Sequence, residues 1–454
     1  MRPLLALALL LAAPAVAQGA WTGQTLSGPH RFVDRTGLAV SGDGRALATW
    51  SFSDAVGDAS RFGASSASRP AGAGAFGPPR ALTPRTATDR RAATVEGVAA
   101  YGARRAVVAT TRQVGRDTPP GIRLEVRFGR TDGTFGRRVA IRTHPGLRSV
   151  SLAVNARGDA ALAWFEDRGV RTDRVYVALG RAGKGFGAPR RLATGRIRGV
   201  AAAIGRRGDV LVAWDARGVV RTRLKPRGKA AFRATDTIRS RPAYFAQMAA
   251  AVTPSGRAVL AWSAQFASEG GERGPVFVDA AIRPAVAARF RRAQRIDAIP
   301  AGRYDGLGRV VGVAVDSDGT AVLAFNGGET TPRIPHSPHD KPVVVLRDAG
   351  GRGGFTGDRQ VSGEGEVAVL SDLAAGPGGR LVAVWDGGVD DLASVVRAAV
   401  APAAGAPFGP PEDVSPVGRD SRFGSAAFLG DRPAVVLAGR GADRGDSVAE
   451  AYVR

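Results

Sequence analysis

The chain has 454 residues, a net charge of +24 and no cysteine. That length can bury a large core; the missing thiols exclude disulfides, a lipid-bearing cysteine and a cysteine nucleophile. The positive balance, carried almost wholly by Arg, suits acidic partners, but the arginines are scattered rather than gathered in runs, which argues against nucleic-acid recognition.

In chain order, Met1-Arg2-Pro3 gives a basic start, Leu4 to Ala13 an uncharged apolar stretch, and Ala15-Val16-Ala17 a small-residue cleavage pattern. Residues 1–17 therefore read as a signal peptide, and residues 18–454 as one domain acting outside the cytoplasm, secreted or at the cell envelope. A run of about ten apolar residues is too short to span a bilayer, which needs roughly 20. No later run is long enough, so no transmembrane segment is expected.

Two motifs then alternate. One carries a turn glycine followed six residues later by an aromatic: Gly44/Trp50, Gly158/Trp164, Gly208/Trp214, Gly256/Trp262, Gly319/Phe325 and Gly379/Trp385. Degenerate copies surround Arg104 and Arg432, making eight. The other motif is "FGPPRALT" at Phe76, with relatives at Phe135, Phe186, Phe232, Phe290, Phe355 and Phe408; "WTGQTLS" at Trp21 completes eight. Successive anchors lie 55, 59, 51, 46, 58, 65 and 53 residues apart.

Each unit reads as four strands. An Ala/Gly/Val-rich run precedes the glycine, and a continuous apolar run such as "AVLAW" follows it. A looser alternating run ("RVYVALGR") and a short "RALT"-type segment come next. Four strands repeated every 46–65 residues predict an all-β, eight-bladed β-propeller with four-stranded antiparallel blades. Small residues in the first strand suit the crowded axis. The Trp and Phe positions suit wedges between blades. Asp316-Ser317-Asp318-Gly319 reads as a hairpin turn with glycine at positive φ, because no bidentate acid follows at the spacing a calcium loop requires.

The order of turn glycine, apolar run ending in Phe or Trp, alternating run and Leu-Thr/Ser resembles the WD40-like repeat of TolB-type propellers. In that family the Leu-Thr strand is outermost. The same register here leaves "VAEAYVR" as a third strand with none after it, and Trp21–Ser27 as a fourth strand with none before it. The resemblance therefore implies that the N-terminal strand joins the last blade and closes the ring.

Long charged loops join the second strand to the third, or the fourth to the next first strand, and a propeller puts both kinds on one face. This is the expected functional face. Its candidate binding residues are Glu166, Asp167, Asp215, Arg241, Tyr244, Arg303, Tyr304, Asp386 and Arg422. His336, His339 and Asp340, within "HSPHD", are a weaker metal candidate; a solvated Pro-rich insertion is the plainer reading. No P-loop, dinucleotide fingerprint or G-x-S-x-G elbow is present, so no cofactor is expected. The expected function is a non-catalytic binding or scaffold protein for an anionic glycan, envelope polymer or protein partner. The alternative is a sialidase-like glycoside hydrolase or lyase, with Tyr244 or Tyr304 partnered by Glu269, Glu272 or Glu329.

Overall fold

The six repeat glycines, Gly44, Gly158, Gly208, Gly256, Gly319 and Gly379, all take left-handed backbone, with φ between 74° and 95°. Each closes a hairpin between the first two strands of its repeat. At the fourth of them after Gly44, the Asp316 side chain accepts from the N–H groups of Asp318 (3.1 Å) and Thr320 (2.8 Å). The "DSDG" stretch is thus an Asx-closed turn, as its sequence suggests.

The computed structural model describes residues 20–56, 59–83, 93–115, 119–169, 172–216, 219–238, 244–267, 273–285, 287, 289–299, 310–316, 318–327, 343–348, 354–363, 366–388, 394–440 and 446–454. They form eight antiparallel sheets in a ring. The innermost strands of blades 1 to 8 are Phe32–Val40, Ala93–Tyr101, Leu147–Val154, Ile197–Ile204, Tyr244–Val252, Val310–Val315, Val367–Ala375 and Ser421–Leu429. Each inner strand contacts the next, and that of blade 8 contacts that of blade 1. The ring closes by the chain's own ends: Thr22–Thr25 pairs antiparallel with Ser447–Val453, with Thr22 opposite Val453 and Thr25 opposite Glu450.

The second strands are buried on both faces, as in "VLVAWDA" of blade 4. The core is therefore not one mass but a slab between each pair of neighbouring blades. Trp164 lies in the slab between blades 2 and 3, Trp214 between 3 and 4, and Trp385 between 6 and 7. These three, with Trp50 and Trp262, are at most 1% exposed, so the repeat aromatics are interblade wedges. Close approach also explains small residues near the axis: a Cβ on Gly37 would sit 2.8 Å from Val98 of the next blade.

The Leu-Thr/Ser pair has two tasks. Leu26, Leu82, Val361 and Val414 are buried. The hydroxyls that follow accept from third-strand N–H groups: Ser27 from Ala449, Thr83 from Ala64, Ser362 from Val343 and Ser415 from Val396, at 2.9–3.0 Å. The second motif is clamped from the neighbouring blade. Gln24 donates to the Phe76 carbonyl (2.8 Å) and accepts from its N–H (2.7 Å); Gln294 does the same at Phe355. The N-terminal segment thus makes both contacts of an ordinary fourth strand.

Among the described residues no helix is long and apolar enough to cross a membrane, and no His, Cys, Asp or Glu cluster is arranged to hold a metal. His336, His339 and Asp340 lie outside the described residues, as does the segment 1–17.

Candidate functional site

Every inner strand carries one extra residue near its start, against its second strand. A bulge of this kind re-aims side chains and frequently adjoins a binding site. In blades 1, 3, 4 and 8 two bulged residues oppose one: Arg35-Thr36, Ser149-Val150, Arg198-Gly199 and Phe423-Gly424. The first of each pair is left-handed in three blades, with φ of 44° at Arg35, 49° at Ser149 and 60° at Phe423. These are the only non-glycine residues at positive φ among those described, and they share one position in the repeat. Non-glycine residues there cost roughly 1–2 kcal/mol each, and such strain concentrates at functional positions.

All four bulge residues open onto clefts on the face where inner strands begin. One cleft, of about 430 Å³, lies between blades 3 and 4 and is lined by Arg148, Ser149, Phe165, Asp167, Asp173, Arg196 and Arg198. A second, of about 450 Å³, shares Arg148 and Ser149 with it and adds Arg35, Glu96 and Thr111. A third, of about 370 Å³, spans blades 8 and 1 and contains Phe32, Asp34, Asp420, Arg422, Phe423 and Arg440.

The charges in these clefts differ in how far they are already engaged. Arg35 pairs with Glu96 at 2.9 Å, and Thr111 donates to the same carboxylate at 2.6 Å. Arg422 and Arg440 share Asp420, at 2.9 and 3.2 Å. In the cleft between blades 3 and 4, Asp173 is buried and accepts from the N–H groups of Arg168 (3.0 Å) and Ile197 (2.9 Å). Among the described residues, Arg148 donates to the Leu147 carbonyl alone, at 3.2 Å. Arg148 and Arg196 are exposed and meet no carboxylate among the described residues. Asp167 is exposed beside them; its carboxylate accepts from Gly169 N–H at 3.1 Å.

The structure separates the residues proposed from sequence. Asp167 and Arg422 line clefts. Glu166 is fully buried; Arg142 (2.5 Å) grips it from the outer strand of blade 2 and Arg168 (2.7 Å) from the adjoining loop. Burial opposes ionisation of Glu166, but the two guanidinium groups outweigh it and hold its pKa below the usual carboxylate range. Asp386 joins blade 7 to blade 8, accepting from Ser371 hydroxyl (2.9 Å) and Phe423 N–H (3.2 Å); burial raises its pKa to about 6. Asp215 is fully buried at the corresponding position of blade 4. Tyr244 begins the inner strand of blade 5, and its side chain lies outside the described residues together with Arg241, Arg303, Tyr304, Glu269, Glu272 and Glu329.

Arg35, Arg148, Arg196, Arg198, Phe32 and Phe423 were not among the sequence candidates. The one available signal was Arg recurring early in inner strands, as in "LRSV", "IRGV" and "SRFG".

No protein-family model and no curated protein matches the chain. Similar solved structures include a polysaccharide lyase, with 9% identity and a TM-score of 0.45, covering 76% of this chain and 87% of that one. Others are a Hadza microbial sialidase, at 11% identity and TM-score 0.36, covering 73% of each chain, and the β-propeller domain of the Trilobed protease from Pyrococcus furiosus, at 9% and 0.43, covering 76% and 89%. At these identities the likeness concerns the propeller architecture alone.

Proposed function

We propose that this chain is a non-catalytic binding protein for an anionic glycan or envelope polymer, acting outside the cytoplasm after removal of residues 1–17. The observation that carries the reading is the pair Arg148 and Arg196, exposed in one cleft without a carboxylate partner among the described residues. Arg presents a planar fork that matches carboxylate or sulfate oxygens. Asp167, on the same wall, offers an acceptor for a sugar hydroxyl, and the adjoining cleft extends the surface along blades 1 to 3.

Buried acids support a binder over a hydrolase. Glu166, Asp173 and Asp386 spend their oxygens on interblade hydrogen bonds, which leaves them poorly placed to transfer protons to a ligand in the clefts.

The test is calorimetric titration with polygalacturonate and, in a parallel arm, dextran sulfate, separating carboxylate from sulfate recognition. Wild type is expected to bind one of them, more weakly as salt rises. Arg148→Ala/Arg196→Ala is expected to lose at least about tenfold in affinity, or about 1.4 kcal/mol. Binding indifferent to both arginines contradicts the reading. Release of reducing ends from polygalacturonate, or of sialic acid from a sialoside, would establish the hydrolase or lyase alternative instead.

A further inference from the structure

The cleft between blades 8 and 1 has a different chemistry. Phe32 is 46% exposed and Phe423 is 50% exposed, and both line it. Among the described residues only four large apolar side chains are exposed, so finding two in one concavity departs from ordinary surface scatter. Their surroundings are polar but electrically balanced: Arg422 and Arg440 face Asp34 and Asp420, with Ser53 and Ser447 between. Asp420 already bridges the two arginines.

The Phe423 backbone is held from two sides, by blade 7 and by blade 1, in a left-handed conformation. Its N–H donates to Asp386 at 3.2 Å, its carbonyl accepts from Thr36 of blade 1, and its φ is 60°. A bulky side chain in left-handed backbone is an outlier that the neighbouring blades must maintain. Phe32 is steadied by the Arg31 guanidinium, 5.5 Å from its ring centre, and by that of Arg440, at 5.9 Å. The fold therefore maintains strained backbone to present a ring that stays half exposed.

From this geometry we infer that the cleft at the seam of blades 8 and 1 is a binding site for an uncharged pyranose, one or two units of a neutral oligosaccharide. The exposed part of the Phe423 ring, and the part of the Phe32 ring that the two guanidinium groups leave open, can cover a C–H face of a sugar ring. Asp34, Asp420 and the two arginines supply acceptors and donors for its hydroxyls, and the balanced charge gives no advantage to an anion. The volume, about 370 Å³, is within the range of small-molecule sites. This site stands independently of the polyanion reading, which rests on Arg148 and Arg196.

The experiment is titration of the full chain with cellohexaose, laminarihexaose, mannohexaose and xylohexaose, by calorimetry in about 0.5 M NaCl, where surface charge is largely screened. At least one is expected to bind with Kd below about 1 mM. Phe423→Gly is expected to weaken it at least tenfold while leaving Tm unchanged or higher, since glycine relieves the backbone strain. Phe32→Ala is expected to weaken it similarly, and it carries the test should the glycine variant misfold. Arg148→Ala/Arg196→Ala should bind the sugar as wild type does. The inference is overturned if no hexasaccharide binds at about 5 mM, if both Phe variants bind normally, or if the arginine variant alone loses the sugar.

Discussion

Asp386 and Glu166 show how one chemical group, the carboxylate, serves opposite electrostatic ends. Asp386 has its folded pKa raised to about 6 by burial, so the stability linked to its protonation is fully present below the unfolded value near 4 and is lost as pH rises through about 6. Glu166 has its folded pKa lowered by Arg142 and Arg168, so its contribution is present above the unfolded value and is lost as acid protonates it. Asp386→Asn should therefore raise stability by about 1–2 kcal/mol at pH 8 and leave it unchanged near pH 4; denaturant midpoints at the two pH values check this. Asn can keep both contacts, its oxygen accepting from Phe423 N–H and its amide nitrogen donating to the Ser371 hydroxyl, much as Asn326 in blade 6 donates to the Ala368 carbonyl and accepts from Leu370 N–H. A loss of stability at pH 8 would show that the carboxylate's charge is needed. Both acids stood out in the sequence because they lie at the ends of second strands. Their burial did not show there, because sequence order gives the end of a strand but not which neighbour covers it.

Strands and turns were the most legible level. A glycine six residues before an aromatic specifies a hairpin and a wedge, and both are present at Gly319 and Phe325. The fourth strands are as short as Arg80–Ala81 and Glu412–Asp413, yet the Leu-Thr/Ser pair marked them, because its hydroxyl satisfies a buried third-strand N–H. Ser415→Ala leaves Val396 N–H without that acceptor and should cost about 1–2 kcal/mol, whereas Ser415→Thr should be close to neutral, since Thr83 does the same work in blade 1. Thermal midpoints of the two variants check it; equal losses would mean that packing rather than the hydroxyl sets the preference. The bulges were not legible. Each adds one residue, but two-against-one in blades 1, 3, 4 and 8 and one unopposed residue in the others. Aligning repeats on their glycines therefore does not reveal which side chain is turned toward the face, and Arg35, Arg198 and Phe423 went unmarked.

At the scale of the molecule, eight slabs of apolar contact replace a central core, and the ring is sealed by Thr22–Thr25 lying beside Ser447–Val453. The sealing strand was readable from a repeat out of phase with the chain ends. So was the face that carries the clefts, because a propeller's connectivity assigns loops to faces before any side chain is placed. All three described clefts lie there, over blades 8, 1, 2, 3 and 4. Polyanion binding on that face is read out most directly by amide hydrogen exchange with and without bound polygalacturonate. Exchange is expected to slow at the inner-strand starts of blades 3 and 4, around Arg148 and Arg198, and to stay unchanged at the hairpins of Gly158 and Gly208. Protection of those hairpins with exposed starts unchanged would contradict it.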